Sequence, residues 1–232
     1  MKKFLLLSFS TLFICLFARA QGDSKFKSDS SECYINISLF SEHFEQNNYN
    51  DAIELWRWVF AHCPAIAKHM YLDGATLFEK KIAEEKNPEM KLKFLDTLML
   101  IYDQRIKYFN EEGFVLGKKG LSMYDLSPDK KETINTILKR SVEIEGPKSS
   151  TDVLFKYFQV NIELFGQKKM SKETVIDVYD DVLALFATQR TGSDSATYNK
   201  SRVGVETLFS AQISCEDLIT IFSPQLKAAP MI

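Results

Sequence analysis

Between Tyr34 and Pro64 the apolar residues fall into two stripes that few arrangements satisfy. Ile37, Phe40 and Phe44 recur at the spacing of one helical face, and Ala52, Leu55, Trp56, Val59 and Phe60 do so again after a corner at Tyr49-Asn50. Pro64 stops the second helix. Two amphipathic helices joined by so tight a corner lie antiparallel with their apolar faces together, and the hairpin still needs neighbours on its inner side. A chain that opens this way buries its apolar surface by stacking hairpins.

The remainder repeats the theme. Ala67 to Lys86 reads as one helix, with Leu72-Asp73-Gly74 near a small-residue position. After Asn87-Pro88 a second helix is expected from Glu89 to Phe109, with Leu92, Leu95, Met99, Tyr102 and Ile106 on one side. A third pair runs from Gly113 to Met123 and, behind a cap-and-first-turn signal at Ser127-Pro128, through Ile144. Ser149 and Asp152 resemble a capping box before Val153 to Phe165, and Gly166 to Lys169 turns the chain into Ser171 to Gln189. That helix is expected to bury Val175, Val178, Tyr179, Val182 and Phe186. Thr191 to Ala196 reads as a Gly/Ser-rich loop. Helix resumes from Tyr198 to Phe209, and Ser214 with Asp217 caps a last helix ending at Pro224.

With Cys33 at repeat position 1, Leu39 falls at 7, Ala52 at 20, Trp56 at 24, Val59 at 27 and Pro64 at 32, which is the spacing of a tetratricopeptide repeat. Phe40 occupies the usual glycine position, so the first two helices cross less closely there. The second pair is too long for a strict 34-residue period. The expected fold is therefore all-α: stacked antiparallel helical hairpins forming a divergent, tetratricopeptide-like right-handed α-solenoid over residues 32–232.

Ahead of it, Met1-Lys2-Lys3 and the apolar run from Phe4 end in Ala18-Arg19-Ala20, a small-x-small cleavage pattern. Residues 1–20 thus read as a signal peptide and 21–31 as a flexible leader, with export to the periplasm or cell surface. Three of the 29 basic residues and none of the 31 acidic ones lie in residues 1–20, so the mature chain carries about −5. That balance lacks the basic stripe of a nucleic-acid partner. No later segment is long and apolar enough to span a membrane.

Export permits disulfides among Cys33, Cys63 and Cys215. Cys33 opens the first helix and Cys63 closes the second, so an antiparallel hairpin makes them neighbours. Either they form a bridge worth roughly 3 to 4 kcal/mol, or they stay buried thiols. Cys215 reads as a core or interface thiol.

Catalytic, cofactor and metal residues are not expected. Gly113, Gly117 and Gly120 with Lys118 and Lys119 miss the phosphate-loop spacing and read as helix packing. His43, His62 and His69 lack the spacing of a zinc site. Asp103, Arg105, Glu111 and Glu112 around Tyr102 and Tyr108 are accounted for by ion pairs and caps. Trp58, beside the buried stripe, is a candidate partner contact or packs on the next helix, and Tyr71, Tyr102 and Tyr108 carry the same two readings. An apolar patch around Leu218, Ile219 and Phe222 would suit docking through the last helix.

Asn48 to Ala52, Trp56-Arg57-Trp58-Val59-Phe60, Cys63-Pro64 and the block Thr97 to Gly120 resemble a family of exported tetratricopeptide-like proteins of Bacteroidota, which are Gram-negative bacteria. The resemblance spans nearly the whole mature chain. Members are longer, with more repeats after a segment like Ser214-Cys215-Glu216-Asp217-Leu218, which implies a truncated member. It also implies a role in binding a protein or peptide partner in the cell envelope, and supplies no enzymatic residues. The expected function is a non-catalytic binding scaffold; the alternatives are a structural subunit of an envelope assembly and, third, an envelope hydrolase.

Overall fold

The computed structural model of the protein describes residues 31–189 and 195–228, and only the backbone of 195 and 222–228. The expected signal peptide, nearly all of the leader, and residues 191–194 of the expected loop lie outside them. The described residues form ten α-helices, one 3-10 turn and no strand. In order they are α1 (Ser31–Glu45), α2 (Tyr49–His62), α3 (His69–Glu84), α4 (Pro88–Phe109), α5 (Glu112–Leu126), α6 (Lys131–Glu145), α7 (Thr151–Gly166), α8 (Lys172–Gln189), α9 (Ser195–Ser210) and α10 (Cys215–Ala228). Gly146–Lys148 is the 3-10 turn.

The first eight helices form four antiparallel hairpins, each fastened near its open end by a different bond. Cys33 and Cys63 are joined by a disulfide with their Cα atoms 5.9 Å apart. Gln104 of α4 donates to the Tyr71 hydroxyl of α3 at 3.1 Å. Ser141 of α6 donates to the Gly113 carbonyl of α5 at 2.7 Å. Gln189 at the end of α8 donates to the Ser149 carbonyl, just before α7, at 2.6 Å. An all-α solenoid of stacked hairpins is thus the architecture, as the apolar periodicity requires.

The buried side chains make two clusters. One spans α1 to α4 and takes Val115 from α5; the other takes Met123 from the far end of α5 and runs to Ile213. Helix α5 therefore belongs to both, and Met99 of α4 touches each.

Several boundaries differ from the sequence expectation for local reasons. The first corner lies at Gln46 to Asn48, where Asn47 takes φ +59°; Tyr49 already starts α2. Asn at a left-handed position needs no glycine. Ser127 closes α5 by donating its N–H to the Met123 carbonyl, and α6 begins only at Lys131. The cap of α7 is Ser150, whose Oγ accepts from Val153 N. In α4 the buried face is Leu95, Leu98, Ile101, Tyr102 and Arg105, while Leu92 is exposed. Ile176 joins the buried stripe of α8, and Tyr179 is only half-buried. Ser214 and Asp217 do form a reciprocal capping box, with both bonds present, but α10 continues past Pro224 to Ala228. The close approach expected of a small residue falls at Gly74, where a Cβ would lie 2.3 Å from Trp56 Nε1.

Candidate functional site

Helices α5, α7 and α9 lie side by side and run in the same sense. Gly117 faces Val153, Phe155 faces Gly204, and Phe158 meets Phe209 with ring centroids 6.5 Å apart. Two glycines set the spacing. A Cβ on Gly117 would stand 2.9 Å from Val153 Cγ2, and one on Gly204 would stand 2.7 Å from Phe155 Cε2. Larger residues would wedge the helices apart.

The three helices enclose an open groove of about 890 Å³. Its apolar surface comes from Leu121, Phe155, Val203 and Leu208, and its polar rim from Asp125, Asp152, Lys156, Lys200 and Thr207. Val203 is half exposed within it. Such a surface offers apolar contact in the centre and charges of both signs at the margins, which is how binding clefts divide affinity from orientation.

A polar network backs the groove at Lys156. Its Nζ sits 3.7 Å from the Tyr124 ring centroid and donates to Gln159 Oε1 at 3.0 Å. Tyr124 donates to Glu163 at 2.6 Å, and Lys131 pairs with the same carboxylate at 2.5 Å. Burial pushes the Tyr124 hydroxyl up to about 12, helped by the Glu163 charge. Burial would also raise the Glu163 carboxyl, but the bonds from Lys131 and Tyr124 outweigh it and hold it below its ordinary value. The network fixes Lys156 rather than leaving it free to swing.

The residues singled out in the sequence divide clearly. Tyr71 is 1% exposed and donates to the Pro64 carbonyl at 2.6 Å; burial raises its hydroxyl well above the ordinary range. Tyr102 is 5% exposed, hydrogen-bonded with Ser122 at 2.8 Å, and raised by burial to about 12. Neither can meet a partner, so for these two the packing reading replaces the contact reading. Trp58 is half-buried and stacks on His62 with centroids 4.7 Å apart, and Tyr108 is half-buried beside Lys107. Leu218 packs against the second core, Ile219 is exposed, and the Phe222 side chain lies outside the described residues. Cys215 is an exposed free thiol at the start of α10 rather than a core residue.

Three carboxylates in the block Thr97 to Gly120 are taken up in ion pairs. Glu111 accepts from Arg105 at 2.7 Å and from Lys68 at 3.0 Å, Asp103 pairs with Lys119 at 2.5 Å, and Glu112 with Arg140 at 3.2 Å. Arg105 is 5% exposed, so this pairing is what allows its charge to be buried. Gly113, Gly117 and Gly120 all press on neighbouring helices, with a Cβ on Gly120 falling 2.4 Å from Leu138 Cδ2. Among the described residues no group of three or more His, Cys, Asp or Glu is placed to hold a metal ion. No helix among them is long and apolar enough to cross a membrane.

The sequence reading does not reach the groove, since Phe155 comes from α7 and Val203 and Gly204 from α9. Its one linear trace is Gly204, an isolated glycine inside a helical pattern.

No protein-family model matches the chain, and no curated protein matches it. A solved structure, a thermophilic TPR protein from Thermus thermophilus, is similar over 78% of this chain and 85% of that one, at 12% identity and a TM-score of 0.48.

Proposed function

We propose that this protein is a non-catalytic binding scaffold of the bacterial cell envelope, holding a short extended segment of a protein partner in the α5–α7–α9 groove. The groove carries the reading. Its α9 wall runs from Thr197 to Leu208, a length of about 16 Å at the helical rise. An extended segment of about five residues spans that distance. The wall is built from helices already fixed by the second core, so a partner meets a surface whose ordering cost has been met in folding. The carboxylates that could have suggested hydrolysis are engaged in ion pairs. The signal-like residues 1–20 and the disulfide support an exported chain in an oxidising compartment.

Val203 is half exposed, so Val203→Asp can disturb binding without disturbing packing. An envelope partner captured by the wild-type chain should be lost by Val203→Asp and kept by Ile219→Asp. Exposed Ile219 on α10 favours the second reading, an assembly subunit docked through that helix. The reverse pattern would support it, and equal capture by both variants would sink the groove. N-terminal sequencing of the exported protein should begin at Gln21.

A further inference from the structure

We infer that residues 21–30 of this chain fold back along α1 and cap the open end of the solenoid, with Phe26 seated on Ile35 and Leu39. The first helix of a stacked-hairpin fold has its core on one side and, among the described residues, no hairpin on the other. In α1 the core side is Cys33, Ile37 and Phe40. The opposite side carries Ile35 and Leu39, one turn apart and 58% and 40% exposed, with Tyr34 beside them at 55%. End hairpins of such folds ordinarily present a polar outer face, because nothing stacks on it. The centre of this one is apolar.

The margins of that face are acidic, and their charge selects the occupant. Glu32 and Glu42 are exposed, and neither takes part in an ion pair among the described residues. A second copy that laid its own α1 antiparallel on this one, Ile35 against Leu39, would set Glu42 opposite the partner's Glu32. A parallel pairing would set Glu42 opposite the partner's Glu42. Both arrangements bring like charges together. The segment leading into α1 carries Lys25-Phe26-Lys27, an aromatic ring between two cations. An apolar group for the centre and positive charge for the margins is the complementary pattern.

The connection is long enough. Phe26 is five residues from Ser31, up to about 17 Å of extended chain, against about 6 Å from Ser31 to Ile35 and about 12 Å to Leu39 at the helical rise. The excess is what a reversal of direction takes up, and Ser28-Asp29-Ser30 supplies turn-forming residues for it. Alternation along an extended segment turns Phe26 toward α1 and both lysines off it, where their long side chains reach the glutamates at the margins. Docked in this way, the segment hides the apolar end face and blocks a second copy from stacking there.

Trypsin cleaves after lysine, so Lys25 and Lys27 report directly on whether the segment is docked. The chain beginning at Gln21 is digested briefly, and loss of its first residues is followed by mass spectrometry. Cleavage tracks the undocked fraction, so wild type should be cut there about tenfold more slowly than Leu39→Asp. Ile35→Asp should give the same acceleration from a second position. Both substitutions fall at exposed sites, so the circular dichroism and the cleavage pattern beyond Ser31 should stay those of wild type. Glu42→Lys should speed cleavage by a smaller factor, since pairs at the margins are exposed, and Ile219→Asp on α10 should change nothing. Equal cleavage of wild type, Ile35→Asp and Leu39→Asp would overturn the inference. Protection that grows with protein concentration would overturn it as well, because a second copy and not the chain's own segment would then cover α1. Neither result bears on the α5–α7–α9 groove, which takes no lining residue from α1.

Discussion

Replacing glycine by alanine inside a helix is ordinarily stabilising by about 1 kcal/mol, because alanine loses less backbone freedom. At Gly74 the opposite is expected. An added Cβ would stand 2.3 Å from Trp56 Nε1, where ordinary contact begins near 3.4 Å, so the indole edge must retreat by about 1 Å. It has nowhere to go. Trp56 is 1% exposed, stacked on Phe60 at 4.6 Å, edge-on to Phe78 at 5.0 Å, and bonded through Nε1 to the Met70 carbonyl at 3.0 Å. Overpacking costs about 1–3 kcal/mol and the lost hydrogen bond about 1. Against the helix gain of about 1, the net is about 2 kcal/mol of destabilisation, or about 4–8 °C in Tm for a chain of this size. Gly166 is the control, since it ends α7 and a Cβ there meets nothing within 4 Å. Gly166→Ala should be neutral or stabilising by up to about 1 kcal/mol. Urea unfolding followed by circular dichroism and tryptophan fluorescence gives both values. If Gly74→Ala proves as stable as wild type, the tight α2–α3 contact is not what the structure makes it.

Opening the disulfide should release a loop of 30 residues, and the chain-entropy model gives about 3.5–4 kcal/mol for that closure. Cys33→Ala/Cys63→Ala, compared with the oxidised chain in a Cys215→Ser background, should lower the urea midpoint accordingly; a loss under about 1 kcal/mol would contradict it. Glu111 is held below its ordinary carboxyl range by hydrogen bonds from Arg105 and then Lys68, so its stabilisation is present above about pH 4.5 and lost as pH falls through the lowered value. Glu111→Gln should flatten that acid limb and cost about 1–2 kcal/mol at pH 7, less than a fully buried pair because Glu111 is partly exposed. At the alkaline end Tyr102, Tyr124 and Tyr157 are raised to about 12, mainly by burial. Their contribution is intact below pH 10, the unfolded value, and disappears as pH climbs through 12. Tyrosinate absorbance should therefore show a late class that ionises together with unfolding.

The stacked hairpins were legible because stripes such as Ala52, Trp56 and Val59 repeat with the helical period and are buried as that period requires. Hairpin geometry makes Cys33 and Cys63 neighbours, and of the two readings that left open, bridge or buried thiols, the structure has the bridge. What failed were choices between near-equal neighbours. Leucines at 92, 95, 98 and 100 mark more than one face of α4, and only the neighbouring helices decide that 95 and 98 go inside. Ser149 and Ser150 are equivalent in sequence, yet one caps α7 and the other is buried. Tyr71 and Tyr102 have both an apolar ring and a polar tip, so an inward position with a hydrogen-bonded hydroxyl suits them as well as an exposed one. The groove depends on contacts between helices distant in sequence, such as Phe155 of α7 against Gly204 of α9, that no linear period encodes.

The bond between Cys33 and Cys63 also fixes how the molecule would carry a mechanical load. Tension entering at Ser31 would run through Cys33 directly to Cys63 and on toward α3, bypassing nearly all of α1 and α2. Those 30 residues, about 100 Å of extended chain, could not be paid out while the bond holds. The first hairpin would act as a rigid shackle, and the α2–α3 contact at Trp56 and Gly74 would be the first non-covalent joint to bear the pull.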